Sequence, residues 1–142
     1  MELFDELRGV VDCCLLHGAC YFIIDANRAH RYVQGLIDRH GHFTIEAVSN
    51  DSLGEPCAKE HPITDADHAT LVRLGWLPPN EDTPNWHRQI DWEFHYPGPL
   101  VAELLVRTLV EVHRATPDEL ELTVAHAHVP PSRTAVEASD AA

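Results

Sequence analysis

Between Ala19 and Asn50 three strand-like segments, "ACYFIID", "RYVQGLID" and "HFTIEAVSN", are separated only by Ala26 with "NRAH" and by "RHG". Connections this short join antiparallel neighbours, so the three segments form a meander, with Gly41 supplying the positive φ of the second hairpin loop. The third segment alternates cleanly, Phe43, Ile45 and Ala47 facing one way and Thr44 and Glu46 the other. A sheet with one apolar face must be covered, and the flanking segments supply the cover.

From Glu2 to His17, Leu3, Phe4, Leu7, Val10, Val11 and Cys14 recur at helical steps, and Gly18 stands where a left-handed stop belongs. "DSLGEPCAKEHP" reads as a loop. "TDADHATLVRLGW" reads as a second helix, with Thr64 and Asp67 at capping-box spacing and Gly75 ahead of Trp76 in a Schellman stop onto Leu71. After the proline-interrupted "LPPNEDTPN", the segment "WHRQIDWEF" predicts a fourth strand. It puts Trp86, Ile90, Trp92 and Phe94 on one face, with Arg88 the single polar residue among them. A third helix runs from Leu100 to about Arg114 on a stripe of Val101, Leu104, Leu105, Thr108, Leu109 and Val112. Residues 116–128 then alternate as a last strand, although "TPDE" is also a helix start. The expectation is one α+β domain over residues 1–128, in the order α-β-β-β-α-β-α(-β), with helices against an antiparallel sheet and a flexible tail at 129–142.

The chain has 142 residues, enough for one core without disulfides or metal, and a formal net charge of −13. So acidic a surface repels phosphate backbones, which excludes a general nucleic-acid binder and favours basic peptides or basic protein surfaces. No segment reaches the ~20 apolar residues of a membrane helix, and "MELFDELRG" is acidic where a signal peptide is basic, so a soluble, cytoplasmic protein is expected.

The stretch "DCCLLHGACYF" holds three of the four cysteines and a histidine. Cys14 falls in the middle of the first helix's apolar stripe beside Leu7 and reads as core, and reduced thiols are expected. Cys13 and His17 lie one turn apart at the stripe's edge, and "CAKEH" adds Cys57 and His61. Together these four define an alternative reading, a zinc module or metal-dependent enzyme. His61, Asp65 and His68 mix imidazole and carboxylate, but capping accounts for Asp65. The eleven histidines would make the surface less negative in mild acid. There is no G-x-S-x-G, P-loop or G-x-G-x-x-G, and Asp91 with Glu93 reads as solvated charge on a sheet face. No catalytic residue or cofactor is expected. Of the aromatic residues Tyr32, Trp76, Trp86 and Trp92, Trp86 at the entry of the fourth strand is the one expected to be partly exposed and in contact with a ligand.

"RYVQ" at Arg31–Gln34, "EAVSN" at Glu46–Asn50, "LGW" at Leu74–Trp76 and "NW" at Asn85–Trp86 occur in that order. On these motifs the chain, from about Leu3 to Arg114, resembles small actinobacterial proteins grouped with YbjN and the type III secretion chaperones. The resemblance implies an acidic, often dimeric α-β-β-β-α-β-type domain that holds an extended peptide of a partner protein and has no catalytic apparatus. The chain departs from the secretion chaperones in having one strand between the second and third helices where they have two; the segment after Arg114 is available to compensate. The expected recognition surface is Tyr32, Gln34, Asn85, Trp86 and Arg88, the first four within the matched motifs. An exposed sheet edge would accept the peptide as an added strand.

Overall fold

The computed structural model describes residues 2–26, 29–92 and 95–126. Helix α1, Glu2–His17, buries Leu3, Leu7, Val11, Cys14 and Leu15 along the expected stripe. It ends where Gly18, at φ 65°, donates its N–H to the Cys14 carbonyl over 3.0 Å; Ala19 follows, also left-handed. The meander is as expected: β1, Cys20–Asp25, pairs antiparallel with β2, Tyr32–Ile37, and β2 with β3, Phe43–Ala47. One face of these strands carries Cys20, Phe22, Ile24, Val33, Ile37, Phe43, Ile45 and Ala47, each at most 1% exposed. Gly35 lies among them because the Phe22 ring fills its side-chain space: a Cβ there would stand 2.5 Å from that ring.

The expected loop at 51–62 instead contains two single helical turns, α2 at Asn50–Leu53 and α3 at Cys57–Glu60. Local polar side chains hold them. The Ser49 hydroxyl accepts the Ser52 N–H and donates to the Pro84 carbonyl, while the Asn50 amide pairs with both main-chain groups of Ile63. A four-residue turn is too short to show a helical period, so pattern reading passes over it. Helix α4, Asp65–Leu74, has both halves of its capping box between Thr64 and Asp67, and Gly75 at φ 103° lets Trp76 N–H reach the Leu71 carbonyl.

Strand β4 spans Trp86–Ile90, shorter than the segment to Phe94 predicted above. Its partner β3 begins at Phe43, opposite Ile90, and the chain before it turns at Gly41; beyond Ile90, Trp92 spends its indole N–H on the Gly41 carbonyl at 2.8 Å. The expected strand residues Glu93 and Phe94 lie outside the described residues. Helix α5, Gly98–Arg107, loosens into a π-helical turn at Thr108–Val112, and the six apolar-stripe positions from Val101 to Val112 are all buried. Thr108 anchors that change of pitch: its hydroxyl donates to the Leu104 carbonyl and accepts the Trp76 indole N–H.

Both readings of the last segment hold in part, since Pro117–Glu119 is a 3-10 turn and Glu121–His126 is strand β5. β5 does not join β4. It pairs antiparallel with β1, giving the order β4-β3-β2-β1-β5 and an α+β architecture. The described helices pack on one side, where α1 lies along α5 and the sheet's inner face meets Leu7, Val11, Leu105 and Leu109. The expected tail at 129–142 lies outside the described residues.

Candidate peptide-binding surface

The strand register decides which polar side chains meet on the sheet's other face. Gln34 and Glu46 stand directly opposite each other in the β2–β3 pair, and the Gln34 amide donates to Glu46 Oε1 over 3.2 Å. Asn85, one residue before β4, donates to the same oxygen at 3.0 Å and to the Tyr32 hydroxyl at 3.3 Å, while its own carbonyl oxygen accepts the Ser49 N–H. Three expected recognition residues are thus linked, Gln34 and Asn85 through Glu46 and Tyr32 through Asn85. Burial pushes the Tyr32 phenol up, and the neighbouring Glu46 carboxylate adds to this against the opposing Asn85 hydrogen bond, so the phenol stays protonated. Glu46 has no cationic partner among the described residues. Sequence reading quoted Glu46 inside "EAVSN" but did not select it; its polar position in the alternation was the available signal, and only the register shows what it faces.

Trp86 and Arg88 lie on the opposite, helix-facing side. Trp86 is only 6% exposed, correcting the expectation of partial exposure, because it pairs with Ala47 at the rim of the core and its ring lies 5.5 Å from that of His68 on α4. Arg88 pairs with Ile45 on the core-facing side, as the alternation required, yet is exposed because β4 is an edge strand. Its guanidinium sits 3.0 Å from where a Cβ on Gly75 would stand, beneath the carboxyl end of α4, where the helix dipole favours positive charge. A shallow groove there is lined by Gly75, Leu77, Thr83, His87, Arg88 and Gln89.

The two sheet edges differ. On β4, His87 already exchanges both main-chain hydrogen bonds with Leu77, at 2.9 and 3.1 Å. On β5 the phase follows from the first hairpin: Ala26 N–H bonds Arg31, so even-numbered β1 residues turn to β2 and odd-numbered ones to β5. By the same alternation Leu122 and Val124 turn their N–H and C=O groups away from β1, and among the described residues no strand lies beyond them. Their side chains are 39% and 41% exposed. On the face opposite the helices, Tyr21 is the one strand residue closed off, at 2% exposure.

The Cys/His set does not assemble. Cys13 Sγ comes within 3.8 Å of His17 Nδ1, but that nitrogen also lies 2.9 Å from the Cys13 carbonyl, and Cys57 and His61 belong to α3 and its cap. Among the described residues no three His, Cys, Asp or Glu side chains are grouped to hold a metal. No described helix is long and apolar enough to cross a membrane.

A five-stranded antiparallel sheet, backed by helices on one side and presenting polar groups on the other, defines an α+β domain of chaperone-like fold. The chain belongs to the family of T3SS (YopN, CesT) and YbjN peptide-binding chaperone 3, TY-Chap3, whose match covers residues 16–128. That span takes in every strand, β5 included, and leaves out all but the end of α1, so it runs further toward the carboxyl end than the resemblance read from short motifs. No match was found among curated proteins or among solved structures.

Proposed function

We propose that the protein is a non-enzymatic, cytoplasmic chaperone-like domain that holds an extended, basic segment of a partner protein. The main chain of the client adds to the outer edge of β5, where Leu122 and Val124 offer main-chain groups that no described strand pairs and half-exposed apolar side chains. A Lys or Arg of the client reaches Glu46, whose carboxylate is held in place by Gln34 and Asn85. A strand added beyond β5 lies four strand spacings from Glu46 on β3, roughly 19 Å at ~4.8 Å per spacing, a gap that about six extended residues span. The observation that carries the reading is this positioned carboxylate with no cation among the described residues, in a chain of net charge −13 and a peptide-binding family. Tyr32, Gln34 and Asn85 form the recognition surface, whereas Trp86 serves the core.

An array of overlapping peptides of varied charge tests the reading. Retention of basic, strand-forming peptides is expected, and Glu46→Gln should weaken it about 10-fold, the low end for loss of one charge-assisted contact. Retention indifferent to peptide charge and to Glu46→Gln would remove the proposed role of this face.

A further inference from the structure

The cluster at the end of α1 has a second feature that peptide binding does not use. Cys14, in the last turn of α1, and Cys20, the first residue of β1, point into the same pocket of the core, and their sulfurs lie 2.7 Å apart. Both are free thiols and both are fully buried. A short connection, with Gly18 at φ 65° and Ala19 at φ 43°, folds the strand back beneath the helix and brings the two together. Two sulfurs at this separation are well inside the distance at which unbonded thiols rest, and about 0.7 Å of movement brings them to the ~2.05 Å of a covalent bond.

We propose that Cys14 and Cys20 form a reversible intramolecular disulfide when the protein meets a low-molecular-weight disulfide such as oxidised glutathione. One protein thiol loses its proton and its sulfur attacks the small disulfide, forming a mixed disulfide and expelling one small thiolate. The second protein thiolate then attacks the protein sulfur of that mixed disulfide, forming the Sγ–Sγ bond and expelling the other small thiolate. Two protein thiols are oxidised, one small disulfide is reduced to two small thiols, and the two protons pass to the expelled thiolates. Burial pushes the Cys14 thiol far above its ordinary range, with the Cys20 contact adding to it, so reaction waits on fraying of the last turn of α1. Cys13, half-buried on the neighbouring helix face, and Cys57, on α3, have no cysteine partner at this distance and serve as internal controls.

The test uses the full chain. After treatment with oxidised glutathione, remaining thiols are blocked with a maleimide under denaturing conditions, and the tryptic peptide Gly9–Arg28, which carries Cys13, Cys14 and Cys20, is fragmented in a mass spectrometer. A peptide lighter by two hydrogens with its single maleimide on Cys13 is expected, reversed by dithiothreitol; in Cys13→Ser/Cys57→Ser the same two-hydrogen loss is expected with no maleimide on the peptide. Maleimide on Cys14 or Cys20 in the oxidised wild type, or a bond through Cys13, would overturn the proposal. The wild-type map decides the matter even if replacing a buried cysteine impairs folding.

Discussion

At the scale of the residue, the most heavily committed polar group is His113. It is 2% exposed and lies 3.4 Å from the guanidinium of Arg31, which also donates to the carbonyls of Val112, His61 and Pro62. Arginine only donates, so Nδ1 must accept and the imidazole proton sits on Nε2, which finds no partner among the described residues. Burial, reinforced by the Arg31 charge, holds the imidazole pKa down to about 3. In the unfolded chain the same group titrates near 6.5, so between those values the unfolded state binds a proton that the folded state refuses. Stability therefore falls as pH falls through this window. From pH 7 to pH 5 this one group is expected to remove about 2 kcal/mol, by integrating that difference. His113→Gln, which keeps an acceptor and cannot be protonated, should lose this slope. Chemical denaturation at the two pH values checks it, and an unchanged slope in the variant would assign the pH dependence elsewhere. Asp67 adds in the same direction: burial opposes its ionisation, but the Thr64 N–H and Arg114 outweigh that and hold its carboxyl below the usual range, so its contribution is also lost in acid.

At the scale of the element, the meander depends on one missing side chain. Phe22 crosses from β1 over Gly35 on β2 and meets Phe43 on β3 edge-on, ring centres 6.5 Å apart. Gly35→Ala would drive a methyl group into the Phe22 ring, and overpacking a close-packed core in this way costs about 1–3 kcal/mol. A fall in the midpoint of thermal unfolding of several degrees is expected, partly recovered by pairing the change with Phe22→Leu; a neutral Gly35→Ala would show that the ring has room to turn. The glycine itself was visible in "RYVQGLID", but its reason was not, because Phe22 reaches it only through the strand register. The same distinction separates the helices. The stop of α1 and the cap and stop of α4 are written in neighbouring residues and were readable, whereas the π turn at Thr108–Val112 answers to Trp76, a residue 32 positions away.

At the scale of the whole molecule, net charge sets how partners arrive. With −13 on the chain, association with a basic peptide should slow and weaken as salt rises, because charges further apart than about 8 Å are largely screened at physiological ionic strength. Stopped-flow association rates between 50 and 500 mM salt should fall by about tenfold while the dissociation rate changes little; salt-independent association would assign affinity to the apolar edge of β5 alone. The α+β class, the three-strand meander, both long helical stripes and the caps follow from local pattern and short connections, since a period of two or 3.6 and a turn residue act within a few positions. Three of the residues proposed for recognition, Tyr32, Gln34 and Asn85, were singled out by motif rather than by geometry. What only the tertiary structure decided is contact between distant segments: β5 returning to β1 rather than β4, Glu46 joining Gln34 to Asn85 and Asn85 reaching Tyr32, Trp86 turned into the core, and two cysteines meeting beneath α1. Those outcomes rest on which surfaces bury best against each other, a property of the packed whole that no window of sequence contains.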